Sequence, residues 1–297
     1  GQNTTKEYLR LFPNLNVSYL LRENLTARLA YYQSVGRPDF NQYAGGLTLP
    51  DTSVPVTSNT VISVNNAGIK AWTAESYKFR LEYYFDRVGA LNIGGFRREF
   101  RNFFGSVRFP ATPEFLAFYD LDPDEYGMYE VATNHNLSTR VLMTGLEFDY
   151  KQALTFLPPW ARGVQVFANA TSQRVTGDDT VSFAGFIPRS MNWGVSLTRP
   201  RYNVRVNWNY RGTSRNNVVT GASIEPGTFN WGSKRLYVDV SGEYSLTRRV
   251  ALFANLRNLG DATEDQQIAG PSTPAHARFR QRLDFGSLWT IGVKGSF

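Results

Sequence analysis

The chain is 297 residues long, 42% hydrophobic and 14% aromatic, carries a net charge of +7 and contains no cysteine. The missing cysteines exclude a disulfide framework and a thiolate metal site, and no run of about 18 apolar residues is present to form a membrane-spanning helix. Lysines and arginines are dispersed among aromatic residues rather than gathered in a block, which argues against a nucleic-acid-binding arm and leaves a mildly anion-attracting surface.

The chain opens GQNTTKEYLR, with no initiator Met and no basic and apolar leader, as expected where a signal has been removed or the natural start lies elsewhere. From there, eleven strands are predicted at about 11–22, 24–35, 72–85, 89–104, 136–151, 162–175, 188–199, 201–211, 234–245, 248–259 and 283–297. The evidence is alternation, because strand side chains point to opposite faces with period two. Leu15, Val17, Tyr19 and Leu21 oppose Asn14, Asn16, Ser18 and Arg22. Tyr77, Phe79, Leu81, Tyr83 and Phe85 oppose Ser76, Lys78, Arg80 and Glu82. Met191, Trp193, Val195 and Leu197 oppose Asn192, Gly194, Ser196 and Thr198. In 201–211, Tyr202, Val204, Val206, Trp208 and Tyr210 oppose Arg201, Asn203, Arg205, Asn207, Asn209 and Arg211. A polar face so rich in amides and guanidinium groups, backed by an aromatic face, suits a strand with lipid outside and a wet lumen inside.

The connections alternate strictly between two kinds. Short ones fall near Glu23, at 86–88, at 154–161, at Pro200 and near Thr247; long ones cover about 36–71, 105–135, 176–187, 212–233 and 260–282. Long loops of this size count against a compact soluble sandwich, whereas short turns at one end and long loops at the other fit an outer-membrane barrel. The fold class expected is all-β, an antiparallel transmembrane β-barrel. The single helical candidate is Glu114–Tyr119 after Pro113, with an irregular loop as the equal alternative. Parity adds a constraint. With eleven strands, one end of the chain lies outside and the other in the periplasm, so the sheet does not close alone. Unpaired edges are not tolerated in lipid, and these eleven strands are expected to be the C-terminal part of a larger barrel.

Four segments resemble TonB-dependent outer-membrane receptors. The run Asn66–Phe85 resembles that family's NPxLKPExSxNxxLGLEYYF segment, with Ala67 in place of Pro and Ala71-Trp72 in place of Pro-Glu. Gly36–Phe40, GRPDF, resembles its ARPxF segment, and Asn258–Asp261, NLGD, resembles its NLFD motif with Gly260 for Phe. The final WTIGVKGSF places Trp289, Ile291, Val293 and Phe297 on one face and resembles the terminal signal read by the barrel-assembly machinery, although Gly295 stands where a bulky residue is usual. The resemblance implies a barrel of about 22 strands, of which residues 1–297 are the C-terminal half without the plug domain. It further implies an outer-membrane location in a Gram-negative bacterium, outer-membrane lipid as surroundings, and the TonB system as a partner acting through the missing plug. The function implied is uptake of a scarce ligand such as a ferric siderophore, a cobalamin or an oligosaccharide. A passive porin and a β-rich surface adhesion protein are the alternatives.

Within that frame Arg205, Asn207, Asn209, Arg211 and Arg215 form a polar file climbing toward the fourth long loop, where Trp231 and Asn230 are candidate ligand contacts. The competing role for any one of them is hydrogen bonding to plug and water. Asp120-Leu-Asp122-Pro-Asp124 begins like a calcium loop, but position six is Glu125 rather than Gly and position twelve is Val131 rather than Glu. His135 and His276 are far apart in sequence and lack partners nearby, and no nucleophile or nucleotide fingerprint occurs. No catalytic residue, metal site or cofactor is therefore expected.

Overall fold

The structure is a computed structural model and describes residues 11–57, 60–86, 88–177, 185–219, 224–225 and 227–295. The N-terminal third holds β1 (Asn14–Arg22), β2 (Leu25–Gly36), α1 (Phe40–Tyr43), β3 (Gly46–Thr48), β4 (Val61–Asn65), β5 (Trp72–Tyr84) and β6 (Gly89–Arg101). The middle holds β7 (Phe104–Pro110), α2 (Pro113–Phe118), α3 (Pro123–Tyr126), β8 (Glu130–Asn136), β9 (Val141–Ala153), β10 (Val164–Thr176), β11 (Arg189–Thr198) and β12 (Tyr202–Arg211). The remainder holds β13 (Ser214–Val218), β14 (Phe229–Gly232), β15 (Arg235–Ser245), β16 (Val250–Arg257), β17 (Glu264–Ala269), β18 (Phe279–Leu283) and β19 (Leu288–Gly295).

The long strands form one 11-stranded antiparallel sheet in the order β1-β2-β5-β6-β9-β10-β11-β12-β15-β16-β19. This wall is the set of eleven strands expected from alternation, each next to its neighbour in sequence. Its faces separate as the alternation requires. Across seven strands, Leu81, Ile93, Phe148, Ala170, Met191, Tyr210 and Leu236 stand in register on one side. Apolar residues of this side are exposed instead of buried: Leu146 is 67% and Ile291 75% accessible. Such a surface is stable only against lipid. Tyr31 and Tyr77 pack at 5.1 Å and Trp193 stacks on Trp208 at 6.3 Å on the same side.

The long connections are more ordered than loops. Those after β2 and β6 build a four-stranded sheet, β3-β4-β8-β7, and those after β12 and β16 build another, β13-β14-β17-β18. The second continues the wall upward, since its order follows that of the strands feeding it. The first does not. β4 pairs with β8 in parallel, although β6 separates the wall strands β5 and β9 that they feed. The turn that redirects β7 is made at Asn102, whose φ of 54° lies in the left-handed region that Asn tolerates. Asn136 fastens the junction. Its Nδ2 donates to the carbonyls of Lys70 (2.7 Å) and Asn102 (2.8 Å), and its Oδ1 accepts from the Lys70 amide (2.7 Å). Ile62, Ala111, Leu116, Tyr129 and Val131 form a dry core beneath this sheet.

Several expected boundaries move. The strand expected at 136–151 begins at Val141, because residues up to Asn136 belong to β8. The strand expected at 89–104 ends at Arg101, and the last one starts at Leu288 rather than 283. The helical candidate is a helix, Pro113–Phe118, with Thr112 Oγ1 accepting from the Phe115 amide at 3.2 Å. His135, expected in a loop, lies in β8. Asp122 does not hold a calcium-loop geometry but caps α3, accepting from the Asp124 amide at 2.9 Å.

Candidate ligand-facing lumen

The inner face of the wall is built from the other half of each alternation. Glu82, Asn92, Asp149, Asn169, Asn192 and Asn209 stand in register across six consecutive strands, β5, β6, β9, β10, β11 and β12. The rows on either side add Arg28, Arg80 and Glu147 above and Lys151, Asn207 and Asp239 below. These rows climb from the turn end of β2 to the loop end of β12, as the tilt of barrel strands demands.

Ion pairs order the N-terminal part of this face. Arg28 Nε lies 3.0 Å from Glu82 Oε2, and Arg80 Nη2 lies 3.0 Å from Asp149 Oδ2. Beside them is a cavity of about 740 Å³ with a polar lining of Arg80, Asn92, Asp149, Lys151, Gln165, Asn169, Asn192, Ser196, Arg205 and Asn207, completed by Ala90, Tyr150, Val166, Phe167 and Ala168. The Oδ1 atoms of Asn92, Asn192 and Asn207 have no protein partner there, and a buried acceptor without a partner is costly. The Arg205 guanidinium lies 5.8 Å from the Phe167 ring centroid. Gly194 makes the close packing possible: a Cβ at this position would meet Phe167 Cε1 at 2.6 Å and the Val206 carbonyl at 2.7 Å.

The expected file of five residues and the loop candidates Trp231 and Asn230 are divided by the structure. Arg205 and Asn207 line the cavity. Asn209 and Arg211 share their face of β12 but sit higher, Arg211 in register with Arg235. Arg215 and Trp231 oppose each other in the upper sheet, where Arg215 stacks 4.7 Å over Phe229 and Trp231 Nε1 donates to the Ala269 carbonyl at 3.2 Å. Asn230 there accepts from Arg280 at 3.1 Å. The polar cavity residues that sequence reasoning missed are Arg80, Asn92, Asp149, Lys151, Gln165, Asn169, Asn192 and Ser196. The signal was present, since each lies on the polar side of its strand, but register across strands is needed to bring them together.

Above the polar rows the inner face turns apolar. Ala74, Phe96, Phe100, Leu137, Val141 and Met143 form a second buried cluster, packed against Trp72, Phe103, Val175 and Phe186. The upper sheet is held by polar ties. Arg235 is ion-paired with Glu264, and Arg282 meets Asp265 through Nε at 2.7 Å and Nη2 at 2.9 Å. The Arg282 hydrogen bonds hold the Asp265 carboxyl below the usual aspartate range, and those from Ser272 do the same for Glu225.

The Asn258–Asp261 motif makes its own contacts. Asn258 and Asp261 have φ of 52° and 50°. The Asn258 side chain donates to the carbonyls of Ala262 (3.2 Å) and Gly286 (3.0 Å), and the Asn258 backbone N–H donates to lumen-side Asp239 Oδ1 at 2.9 Å. It therefore joins β15, the loop after β16 and the approach to β19. On β19, Trp289, Ile291 and Val293 project outward, 61%, 75% and 66% exposed; Phe297, the last residue of the expected assembly signal, lies outside the described residues.

The sequence profile of the family described as "TonB dependent receptor-like, beta-barrel" matches residues 1–259. No curated protein matches the chain. Among solved structures, the ferric enterobactin receptor PfeA of Pseudomonas aeruginosa, as its G324V mutant, superimposes with a TM-score of 0.63 at 16% identity, covering 96% of this chain and 40% of its own. The siderophore receptor PirA of the same organism gives 0.58 at 14% identity, with 96% and 42% covered. The copper transporter OprC gives 0.60 at 16%, with 96% and 39% covered. The chain thus spans about two fifths of the length of these structures.

Proposed function

The chain belongs to the TonB-dependent receptor β-barrel family, and from that premise we propose that it is the C-terminal part of the wall of an active uptake receptor. Members of this family are outer-membrane β-barrels of Gram-negative bacteria, and the chain's apolar outer face places it there. Closure is part of the proposal. β1 and β19 end the sheet and, being first and last of eleven antiparallel strands, run the same way. Two copies would meet edge to edge in parallel. Upstream strands of the same polypeptide meet both edges antiparallel, so we assign the completing staves and the plug to the upstream part of the protein.

The ligand proposed is large, oxygen-rich and negatively charged, as a ferric siderophore is. The observation that carries this reading is the polar inner face, where the Arg80, Lys151 and Arg205 cations border one cavity whose lining carries a single carboxylate, Asp149, paired to Arg80. Cations attract a carboxylate or catecholate, and asparagine amides suit a ligand that must bind and then leave. The neighbours named as a ferric enterobactin receptor and a siderophore receptor agree with this choice. The ligand passes chemically unchanged, driven by the TonB system through the plug.

The test is uptake of a radiolabelled ferric siderophore by cells carrying the full-length receptor. Uptake is expected to vanish when TonB is deleted, and binding to weaken on the order of tenfold in Arg205→Gln. Uptake that persists without TonB, with liposome swelling by small sugars, would replace the proposal with a passive porin. Release of the protein into the aqueous phase without detergent would replace it with a soluble adhesion protein.

A further inference from the structure

We propose that an arginine cluster on the outer face of β5, β6, β9 and β10, at the loop end of the wall, binds the phosphate groups of an outer-leaflet glycolipid. This rests on the wall facing lipid and is independent of which ligand crosses the lumen.

The cluster stands where the apolar face stops. Arg97 is in register with Tyr77 of the aromatic pair, and with Thr144, which is in turn in register with Arg174. Glu99 and Arg101 follow on the same side of β6, and Arg140 immediately precedes β9. Arg97, Arg101 and Arg140 have side chains 58%, 48% and 64% exposed. At the opposite end of these four strands, the outward row is Tyr83, Leu91, Tyr150 and Ala168, with no charge.

Internal pairing leaves the cluster cationic. Arg140 Nη1 lies 2.6 Å from Glu99 Oε1, which Arg101 also approaches at 3.7 Å, while Arg97 lies 3.7 Å from Glu99 Oε2. Arg101 reaches Glu75 at 3.5 Å. Two carboxylates thus serve three guanidinium groups, and Arg174 has no ion pair among the described residues. Exposed pairs of this kind add little to stability, so holding the wall together does not account for them. Cations facing hydrocarbon are costly, yet at headgroup level they are attracted to anionic lipid. The guanidinium fork accepts two phosphate oxygens at once. Outward projection, girdle height and excess positive charge point to the phosphates of a lipid embedded beside the wall, not to a solute in the lumen.

The full-length receptor in phosphatidylcholine nanodiscs can be titrated with bisphosphorylated lipid A, with its dephosphorylated form and with inorganic phosphate. The phosphorylated lipid should bind selectively. Affinity should fall roughly fivefold for each arginine removed in Arg97→Gln, Arg101→Gln and Arg140→Gln, and remain unchanged in the turn-end control Arg248→Gln/Arg249→Gln. Glu99→Gln, which frees three guanidinium groups from sharing, should bind more tightly. Heat-modifiable gel mobility establishes that each variant is folded. Equal binding of both lipids, retention of binding by the triple variant, or displacement of lipid A by millimolar inorganic phosphate would each overturn the assignment.

Discussion

The wall and the two upper sheets are both antiparallel in the main, yet different physics holds them. Each wall strand separates lipid from a wet lumen, so every second residue is selected for one solvent. The upper strands have water around them and gain stability as small soluble proteins do. The β3-β4-β8-β7 sheet rests on a dry core around Ile62 and Leu116. The β13-β14-β17-β18 sheet depends on side-chain ties, Arg282–Asp265 and Gln281–Gln266 within it and Arg235–Glu264 down to wall strand β15. Under the proposed uptake role this division is useful, because a receiving end built this way can rearrange without opening the wall.

The largest effect expected is on the wall. Leu146 points outward midway along β9, and Leu146→Arg should cost about 4 kcal/mol in the bilayer, the upper end for a cation at the midplane. Asn192→Arg, on the lumen side, should leave stability nearly unchanged. Urea titration of the barrel in lipid, followed by tryptophan fluorescence, checks the pair. Equal losses on the two faces would break the two-solvent account.

Next comes the dry core of the first upper sheet. Leu116 is 2% exposed, packed with Ile62 and Val131. Leu116→Ala should cost that unit about 2–3 kcal/mol while the urea midpoint of the wall stays put. Amide exchange in β4 and β8, measured beside the wall transition, separates the two. If the wall midpoint moves with the exchange rates, the unit is not independent and the comparison fails.

That same division explains what the sequence revealed. Alternation exposed all eleven wall strands, because Leu15/Asn16 or Trp208/Asn207 are sorted by environments that differ completely. The upper strands are three to seven residues long, too short for a period to show. Their register depends on partners far along the chain, such as Asn136 holding Lys70 and Asn102. The parallel β4–β8 pairing has no local signal, since it depends on β7 being turned aside. The lumen site was half legible. Arg205 and Asn207 stood out within one strand, but Asn92, Asp149 and Asn192 joined them only through register. Arg215 looked like the next step of the file; the change of sheet after Arg211 sets it in β13 instead.

The smallest effect concerns the second upper sheet and its polar ties. The Arg282 fork holds Asp265 below its ordinary value of 3.8, and Ser272 holds Glu225 below 4.5. A carboxyl whose folded pKa is depressed contributes stability that is complete above the unfolded value and disappears as pH falls through the folded one. Between neutral pH and about pH 5 the β17–β18 pairing should therefore be constant, and below about pH 3.8 it should loosen. Wall strands β11 and β12, which carry no carboxylate, should show no change over that range. Amide exchange read by mass spectrometry, separately for residues 264–269 and for wall strands, gives both curves in one experiment. Asp265→Asn removes the titrating group, so in that variant the acid step in 264–269 should shrink toward what Glu225 contributes. An undiminished step in Asp265→Asn would place the acid sensitivity elsewhere. A parallel step in the wall would mean that the upper sheet and the barrel open together, and the physical separation drawn between them would have to be abandoned.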